Sequence, residues 1–184
     1  MNEYMYEKVG IPRAEIPALR EKYFRQYGTT LRGLEANHQV DVVDFLAYVH
    51  ALPLDQYLSP DPLQHKILSS LGTRNFVFTN ADTAHAGRVL RALQLEPFFE
   101  SVVDVNAMAP FCKPNPESFA VAMQISGETD PARCVILDDL TRTTRAAREF
   151  GMYTILYGSP QAGDDAHACL TDWSALPALL NGRP

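Results

Sequence analysis

The stretch Val135-Ile136-Leu137-Asp138-Asp139 decides how this chain folds, because an apolar run passes directly into two adjacent carboxylates. A short apolar run of this kind is typical of a buried strand. Two carboxylates at the end of such a strand repel each other and lose hydration unless a cation binds there. Mg²⁺ is the natural cation, since it accepts one or two carboxylates together with water and phosphate oxygens. The stretch therefore predicts a magnesium site at Asp138 and Asp139, with the alternative that Asp139 caps a helix beginning near Thr141.

Strands and helices alternate along the chain on both sides of this stretch. Short runs rich in β-branched and aromatic residues indicate the strands, and apolar residues at intervals of three and four indicate the helices. The predicted strands are residues 75–78, 101–105, 134–137 and 153–157, and the predicted helices between them are residues 82–93, 115–125 and 141–150. This alternation predicts an α/β fold whose parallel sheet is covered on both faces, with functional side chains where the strands end.

The first 72 residues have a different pattern and are predicted to be helical. Ile16, Leu19 and Tyr23 recur at helical spacing, and Gly28 supplies a helix stop. Besides this helix at 14–27, the predicted helices are residues 1–9, residues 41–50 and one that follows Pro60 and ends near Gly72.

Polar residues that suit a phosphate group follow the first predicted strand and precede a later helix. Thr79 and Asn80 offer a hydroxyl and an amide near a helix N-terminus, where backbone N–H groups and the helix dipole favour an anion. Lys113 lies between a loop and a capped helix, which fixes the direction of its ammonium group. These residues predict a phosphate site, and the alternatives are an ordinary helix cap and a solvated surface lysine.

Taken in order as a set, Thr79, Lys113 and the Asp138-Asp139 pair resemble the second, third and fourth motifs of the haloacid dehalogenase (HAD) superfamily of phosphohydrolases. Within that superfamily, residues 27–34, 78–82 and 84–86 are similar to the pyrimidine 5′-nucleotidase branch. The resemblance extends from about residue 2 to residue 158. It implies an enzyme that dephosphorylates nucleoside monophosphates.

The resemblance also implies a role for each matching residue. Thr79 and Asn80 would bind the transferring phosphoryl group, and Lys113 would hold that group and the nucleophile. Asp138 and Asp139 would bind Mg²⁺.

The implied architecture is a HAD-like Rossmannoid core at residues 73–184, a helical cap at 14–72 and a remnant of the first core helix at 1–13. Arg32, His50 and His85 could face the substrate, although an exposed or core role is the ordinary expectation for each.

The superfamily's first motif, an apolar strand ending in Asp-x-Asp-x-Thr, has no counterpart in this sequence. In that motif the first Asp attacks phosphorus and the second transfers the proton. Residues 104–106 have the right gap but carry Asn at the second position, and residues 41–44 have the wrong spacing. The resemblance places the lost strand centrally, between the strands that begin near Asn75 and Cys134. We therefore expect a truncated chain that is inactive by itself, because loss of a nucleophile costs on the order of 10⁶ in rate.

Three functional hypotheses arise from these observations. The first is a shortened form of an active nucleotidase that acts on a small phosphorylated molecule. The second is a catalytically dead HAD-fold pseudoenzyme that serves as a binding or structural subunit, in which a protein partner or a second copy fills the missing strand. The third is a flavodoxin-like or receiver-type domain, which would explain the paired aspartates and the lysine but not the helical first third.

Composition excludes several classes of partner and location. Sixteen Lys and Arg against 22 Asp and Glu give a net charge of −6, which disfavours nucleic acid. The three cysteines lack C-x-x-C spacing, which favours a reducing compartment over a disulfide framework or a zinc site. We see no signal peptide at the N-terminus and no apolar run near the ~18 residues that a membrane span needs. We therefore expect a soluble, cytoplasmic protein.

Overall fold

The computed structural model describes residues 1–182, so the last two residues of the predicted 73–184 core lie outside the described part of the chain. The chain begins with the helices α1 (Asn2–Glu7), α2 (Ile16–Tyr27), α3 (Thr30–Asn37) and α4 (Val42–Val49). Thr29 caps α3, because its Oγ1 accepts the Arg32 N–H. Asp41 caps α4 in the same way, by accepting the N–H groups of the two residues after Val42.

The helices α1 to α4, which we call the helical cap, pack around one buried cluster that also includes Val105 and Cys112. Tyr4 of α1 packs edge-on against Phe45 of α4, with ring centroids 5.1 Å apart. Burial and a hydrogen bond to Asp44 raise the pKa of Tyr4 to about 12. The helix α1 packs in this cluster together with α2, α3 and α4, and the assignment of residues 1–13 to a remnant of the first core helix stays a prediction.

The described residues form five parallel strands in two separate sheets. The strand β1 (Phe76–Phe78) pairs with β2 (Ser101–Val103), and β3 (Val135–Asp138), β4 (Tyr153–Tyr157) and β5 (Ala168–Leu170) pair in that order. The predicted α/β fold with parallel strands is confirmed. No pairing joins β1 to β3 within residues 1–182, so the expected single sheet is divided in two.

Three helices connect the strands, and the last two of them lie on one shared apolar cluster. They are α6 (Thr83–Leu93) between β1 and β2, α7 (Pro116–Ser126) between β2 and β3, and α8 (Thr141–Glu149) between β3 and β4. Phe119 of α7 is fully buried and packs against both Phe78 of β1 and the cluster that contains Ile136 of β3. The two sheets therefore share one core even though their backbones are not paired.

The other face of the β3–β5 sheet is covered by α5 (Pro62–Ser70) and α9 (Leu176–Asn181). Ile67 of α5 and Leu176 of α9 are buried against Ile155 and Leu170. The helix α5 thus packs on the sheet and not in the cluster of α1 to α4, and the cap boundary at residue 72 stays a prediction.

The sequence analysis gave α3 no bounds of its own within the helical first 72 residues, and it did not predict β5 or α9. Gly33 lies inside α3 and weakens its apolar pattern, but a Cβ at this position would lie 2.1 Å from the Tyr23 ring, so the glycine is needed for the packing of α2 on α3. The other two elements are only three and six residues long. Among the described residues, no helix combines the length and the apolar character that crossing a membrane requires.

Candidate active site

A buried ion pair connects the two sheets at the ends of their strands. Lys113 Nζ lies 2.6 Å from Asp138 Oδ2 and donates a second hydrogen bond of 2.7 Å to the carbonyl oxygen of Phe78. The side chains of Lys113 and Asp138 are only 12% and 7% exposed. Because Phe78 ends β1 and Asp138 ends β3, the lysine spans the space between the sheets.

Asn80 holds the backbone of Lys113 through two hydrogen bonds. Its Nδ2 donates to the Lys113 carbonyl oxygen and its Oδ1 accepts the Lys113 N–H, each at 2.9 Å. The amide thus pairs with both backbone groups of Lys113, as a residue of a neighbouring strand would. It joins the loop after β1 to the loop before α7. This arrangement limits the positions that the Lys113 ammonium group can reach.

The Thr79 hydroxyl shapes the turn that comes after β1. Thr79 Oγ1 accepts the Ala81 N–H at 3.0 Å, and the Thr79 N–H donates to the Val103 carbonyl at the end of β2. The hydroxyl hydrogen is left as a donor at the edge where Lys113 lies. Thr79, Asn80, Lys113 and Asp138 are therefore brought together, as the sequence analysis expected of strand-end residues.

The N-terminus of α6 differs from the anion site that the sequence suggested. The helix begins at Thr83, and Asp82 caps it by accepting the His85 N–H at 2.6 Å. Asp104 accepts both the N–H and the hydroxyl of Thr83, at 2.9 and 2.8 Å. Two carboxylates thus occupy the positive end of the helix, so a phosphate group would be repelled from it. Any phosphate at this edge depends on Lys113 and Thr79 instead.

Asp104 lies at the end of β2 and is a residue whose role the sequence analysis missed. It is 7% exposed and also accepts the Ala107 N–H at 2.8 Å. Burial opposes its ionisation, but the hydrogen bonds from Ala107 and Thr83 outweigh this effect and lower the pKa of the carboxyl group. Asp104 lies inside the predicted strand 101–105, which the structure ends at Val103, and a carboxylate within that apolar run was the signal that could have found it.

Asp139 differs from its neighbour Asp138 in burial, since the Asp138 side chain is largely buried and Asp139 is not. Asp138 Oδ1 accepts the Leu140 N–H at 2.9 Å, which turns the chain out of β3. Asp139 is exposed, and the N-cap position of α8 is taken by Leu140 without a side-chain cap, so the alternative in which Asp139 caps this helix is wrong.

The two carboxylates suit Mg²⁺ in their chemistry, since hard oxygen ligands are what this ion prefers. Of the described residues, no group of three or more His, Cys, Asp and Glu side chains converges as a metal site. A magnesium ion here would therefore rely on Asp138, Asp139, water and the phosphate of a ligand, which is a common arrangement for this ion.

Arg32 is buried between the helical cap and the core. Its guanidinium group donates to the carbonyl oxygens of Val105 and Phe111 and forms an ion pair of 2.7 Å with Glu35. Only 6% of the residue is exposed. These contacts favour the expected core role for Arg32 over a contact with substrate.

His85 stacks on His50, so the two predicted histidines lie together at the junction of the cap and the core. The ring centroids are 4.0 Å apart and the planes are nearly parallel. Burial and the neighbouring His50 lower the pKa of His85. His50 Nδ1 also lies 3.6 Å from Asp82, so the pair is next to the cap of α6.

A second arginine binds the turn after α2, which packs against the loop of Lys113. The sequence analysis did not identify this arginine. Arg142 of α8 donates to the carbonyl oxygens of Phe24 and Gly28, at 2.9 and 2.7 Å. Burial lowers the pKa of this guanidinium group. Gly28 has a φ of +85°, and a Cβ there would lie 2.7 Å from Cys112 Sγ and 3.1 Å from the Lys113 carbonyl oxygen.

The model of the haloacid dehalogenase-like hydrolase family matches residues 3–151, which is most of the chain. The chain belongs to this hydrolase family. This assignment confirms the HAD resemblance, and the packed edge of Thr79, Lys113 and Asp138 lies within the matched part of the HAD-like chain.

Two relatives carry names that concern phosphate chemistry. Phosphate metabolism protein 8 of Saccharomyces cerevisiae is 29% identical over 170 residues, which cover 85% of this chain and 53% of that protein. Phosphoglycolate phosphatase of Caulobacter vibrioides is 30% identical over 142 residues, which cover 76% of this chain and 58% of that protein. The chain thus spans a little over half the length of these curated relatives.

The solved structures show the same fold. The HAD-hydrolase YfnB of Bacillus subtilis, which was solved bound to magnesium, is 15% identical to this chain and has a TM-score of 0.59. The alignment covers 97% of this chain and 89% of that one. At this identity the likeness establishes the HAD-like architecture alone.

Proposed function

We propose that this HAD-like chain carries the phosphate-binding half of a phosphohydrolase that acts on nucleoside monophosphates. The observation that carries the proposal is the position of Lys113, whose buried ammonium group lies between the ends of two parallel strands. A buried cation held in this way stabilises the negative charge of a phosphoryl group far better than a mobile surface lysine. The names of the two curated relatives also support a phosphate-containing substrate.

Each residue of the edge has a separate task in this proposal. The Lys113 ammonium group and the Thr79 hydroxyl bind the phosphoryl oxygens. Asn80, whose amide is used on the Lys113 backbone, keeps the lysine in place. Asp138 and Asp139 would hold Mg²⁺, which would neutralise phosphate charge, and the magnesium-bound relative supports this choice of cofactor.

Turnover in this proposal needs a carboxylate nucleophile. The 184 residues contain no Asp-x-Asp-x-Thr motif that would supply it. In covalent phosphohydrolysis, a carboxylate oxygen forms a bond to phosphorus, the ester oxygen leaves with a proton, and water then hydrolyses the acyl phosphate. Asp138 already pairs with Lys113 and the Leu140 N–H, so we do not assign it the attacking role. We therefore propose that the chain by itself is inactive.

Phosphate release from UMP and CMP in the presence of Mg²⁺ tests the proposal. The chain is compared with a version extended at its N-terminus by an apolar strand that ends in Asp-x-Asp-x-Thr. We expect the extension to raise the rate by on the order of 10⁶, and replacement of its first Asp by Asn to abolish the gain. Phosphoglycolate serves as the comparison substrate, because faster release from it would overturn the nucleotidase branch. An extended chain that folds but releases no phosphate from any of the three compounds would overturn the hydrolase proposal.

A second candidate function is that of a binding subunit without catalysis. The separation of β1 from β3 supports it, because unpaired strand edges are recognition sites for other polypeptides. Under either function we propose a cytoplasmic location, which fits three cysteines that form no disulfide among the described residues.

A further inference from the structure

A groove lies at the amino ends of β3, β4 and β5, whereas the candidate active site lies at the carboxyl ends of the strands. It is lined by Arg133, which precedes β3, by Tyr153 at the start of β4 and by His167, which precedes β5. Met152 and Leu180 add apolar surface. The volume of about 600 Å³ lies within the ~300–1,000 Å³ that is usual for sites that bind small molecules.

Thr154 fixes the ring of His167 in one orientation. The Thr154 N–H donates to His167 Nδ1 at 3.1 Å, and the His167 N–H donates to the Thr154 carbonyl oxygen at 3.0 Å. Since a backbone N–H can only donate, Nδ1 is an acceptor and the neutral ring carries its proton on Nε2. Burial and the nearby Arg148 lower the pKa of His167, so the ring is neutral at pH 7. Within residues 1–182 no hydrogen bond to Nε2 is found, so its N–H is available to a ligand.

Tyr153 supports the same ring from its face. The ring centroids of Tyr153 and His167 are 4.9 Å apart, and the ring planes differ by 19°. Tyr153 packs in turn on the buried cluster that contains Ile155 and Leu170. His167 is an exposed residue, yet its ring is held at the edge by Thr154 and on the face by Tyr153. The Nε2–H donor is therefore fixed in direction before any ligand binds.

The charge of the lining favours an anion. The Arg133 side chain is 71% exposed, and its one ion pair joins Nη1 to Glu128 Oε2 at 3.2 Å. Glu128 also accepts the N–H groups of Thr129 and Asp130. A guanidinium group has five N–H donors, and among the described residues only Nη1 of Arg133 is used. No Asp or Glu lies among the described lining residues.

We propose that this groove binds a small carboxylate with an apolar body, whose oxygens accept hydrogen bonds from the Arg133 guanidinium group and from His167 Nε2–H. The planar fork of an arginine matches the two oxygens of a carboxylate. The apolar body of the ligand would lie on Leu180 and the ring of Tyr153. This inference concerns a second site and does not depend on the proposed hydrolysis.

Titration of the whole chain with benzoate, followed by amide NMR spectra, tests the proposal. Benzoate combines a carboxylate with a flat apolar ring. We expect saturable shifts at the amides of Arg133, Gly151 and His167, with a Kd of about 1 mM for a ligand of this size. The amide of Val43, on the exposed face of α4, is the internal reference. Shifts at Lys113 report separately on the candidate active site, so the two proposals can fail independently.

Two matched probes separate the contribution of charge from that of the apolar body. Benzamide has nearly the same shape as benzoate but no charge, so it should bind at least about tenfold more weakly. Acetate has the carboxylate without the ring, and it should also bind at least about tenfold more weakly because it loses the apolar contact. Both comparisons use the unchanged protein and do not depend on the folding of a variant.

Three variants assign the binding to the named residues. Arg133→Met removes the cation but keeps an apolar stem, and it should weaken benzoate binding at least about tenfold. Arg25→Met is the matched control, because Arg25 is an exposed arginine on α2, and it should leave the affinity unchanged. His167→Asn offers an amide oxygen in place of Nδ1 but no donor in place of Nε2–H, so it should weaken binding about three- to tenfold.

Three outcomes would overturn the proposal. The first is the absence of saturable shifts at Arg133, Gly151 and His167 when benzoate reaches tens of millimolar. The second is an equal loss of affinity in Arg25→Met and Arg133→Met, which would mean that the charge of the whole protein attracts the probe. The third is binding of benzamide or inorganic phosphate in the groove as tightly as benzoate, which would mean that the groove does not select a carboxylate.

Discussion

Lys113 and Asp138 form an ion pair of 2.6 Å between two sheets that, within residues 1–182, are not paired with each other. Both side chains are about nine-tenths buried and have lost most of their hydration. The attraction between the two charges compensates for this loss. The same lysine also satisfies the carbonyl oxygen at the end of β1. This pair is therefore the polar link between the two halves of the core.

Replacement of Lys113 by Met should destabilise the protein strongly. The change leaves the Asp138 carboxylate buried without its cation and the Phe78 carbonyl oxygen without its donor. We expect a loss of about 3–5 kcal/mol in the free energy of unfolding, measured by urea denaturation.

Two further variants separate this effect from a general loss of charge. Lys22 is exposed on α2, and Lys22→Met should change stability by less than about 0.5 kcal/mol. Combining Lys113→Met with Asp138→Leu should recover part of the loss, because it removes the unpaired charge. If Lys113→Met and Asp138→Leu lowered the unfolding free energy by equal amounts that add up in the double variant, the proposed link between the two residues would be contradicted.

Replacement of Gly28 by Ala should be more costly than the same change at Gly10. Both glycines have positive φ, at +85° and +80°, so both substitutions strain the backbone by about 1–2 kcal/mol. Only at Gly28 does the new Cβ meet other atoms, at 2.7 Å from Cys112 Sγ. We expect an additional loss of about 1–3 kcal/mol in the unfolding free energy of Gly28→Ala. Similar losses at the two positions would show that the loop of Lys113 yields to the added methyl group.

Arg32 should affect stability and not the recognition of substrate. Replacement by Met leaves the carbonyl oxygens of Val105 and Phe111 and the Glu35 carboxylate without their donor, so we expect a loss of about 2–4 kcal/mol in urea denaturation. Replacement by Lys should rescue only part of this loss, because an ammonium group cannot reproduce the forked contacts. The matched control is Arg25→Met, since Arg25 is 77% exposed in its ion pair with Glu21. A variant of Arg32 with unchanged stability but weaker binding of a nucleoside monophosphate would favour the alternative in which Arg32 faces the substrate.

Asp104 should make the fold sensitive to acid. Because its pKa in the folded state lies below the unfolded value of 3.8, its contribution is present above that pH and is lost as the pH falls through the folded value. We expect Asp104→Asn to cost about 1–3 kcal/mol at pH 7, and the difference from the unchanged protein to shrink as the pH falls from about 5 to about 3. Urea denaturation at several pH values measures this difference. The exposed Asp55 provides the control, and a constant difference at Asp104 across the same range would contradict the assignment.

Much of the core was predictable because local pattern and tertiary environment agree there. The apolar run before Asp138 forms β3, and the run before Thr79 forms β1, as expected from their composition. Strand ends of a parallel sheet lie at one edge, so the position of Lys113 near Asp138 followed from topology once the strands were identified.

The remainder depends on contacts between distant segments, which leave little trace in a local pattern. Nothing near Arg142 in sequence indicates that its guanidinium group reaches Gly28, 114 residues earlier. The helix α5 has an apolar face like those of the cap helices, and only the tertiary structure shows that Ile67 turns this face to the sheet. Asp104 was considered only as a nucleophile, although its hydrogen bonds to α6 define its role.

Three arginines that join the helical cap to the rest of the chain bind carbonyl oxygens of the main chain. Arg32 reaches Phe111, Arg88 reaches His50 and Arg142 reaches Phe24 in this way. A carbonyl oxygen is present whatever side chain the residue carries, so substitutions at the accepting positions leave these bonds intact. Across evolution, each arginine should therefore be retained while the residues that accept its hydrogen bonds vary independently. Correlated substitution between the helical cap and the rest of the chain should be weak.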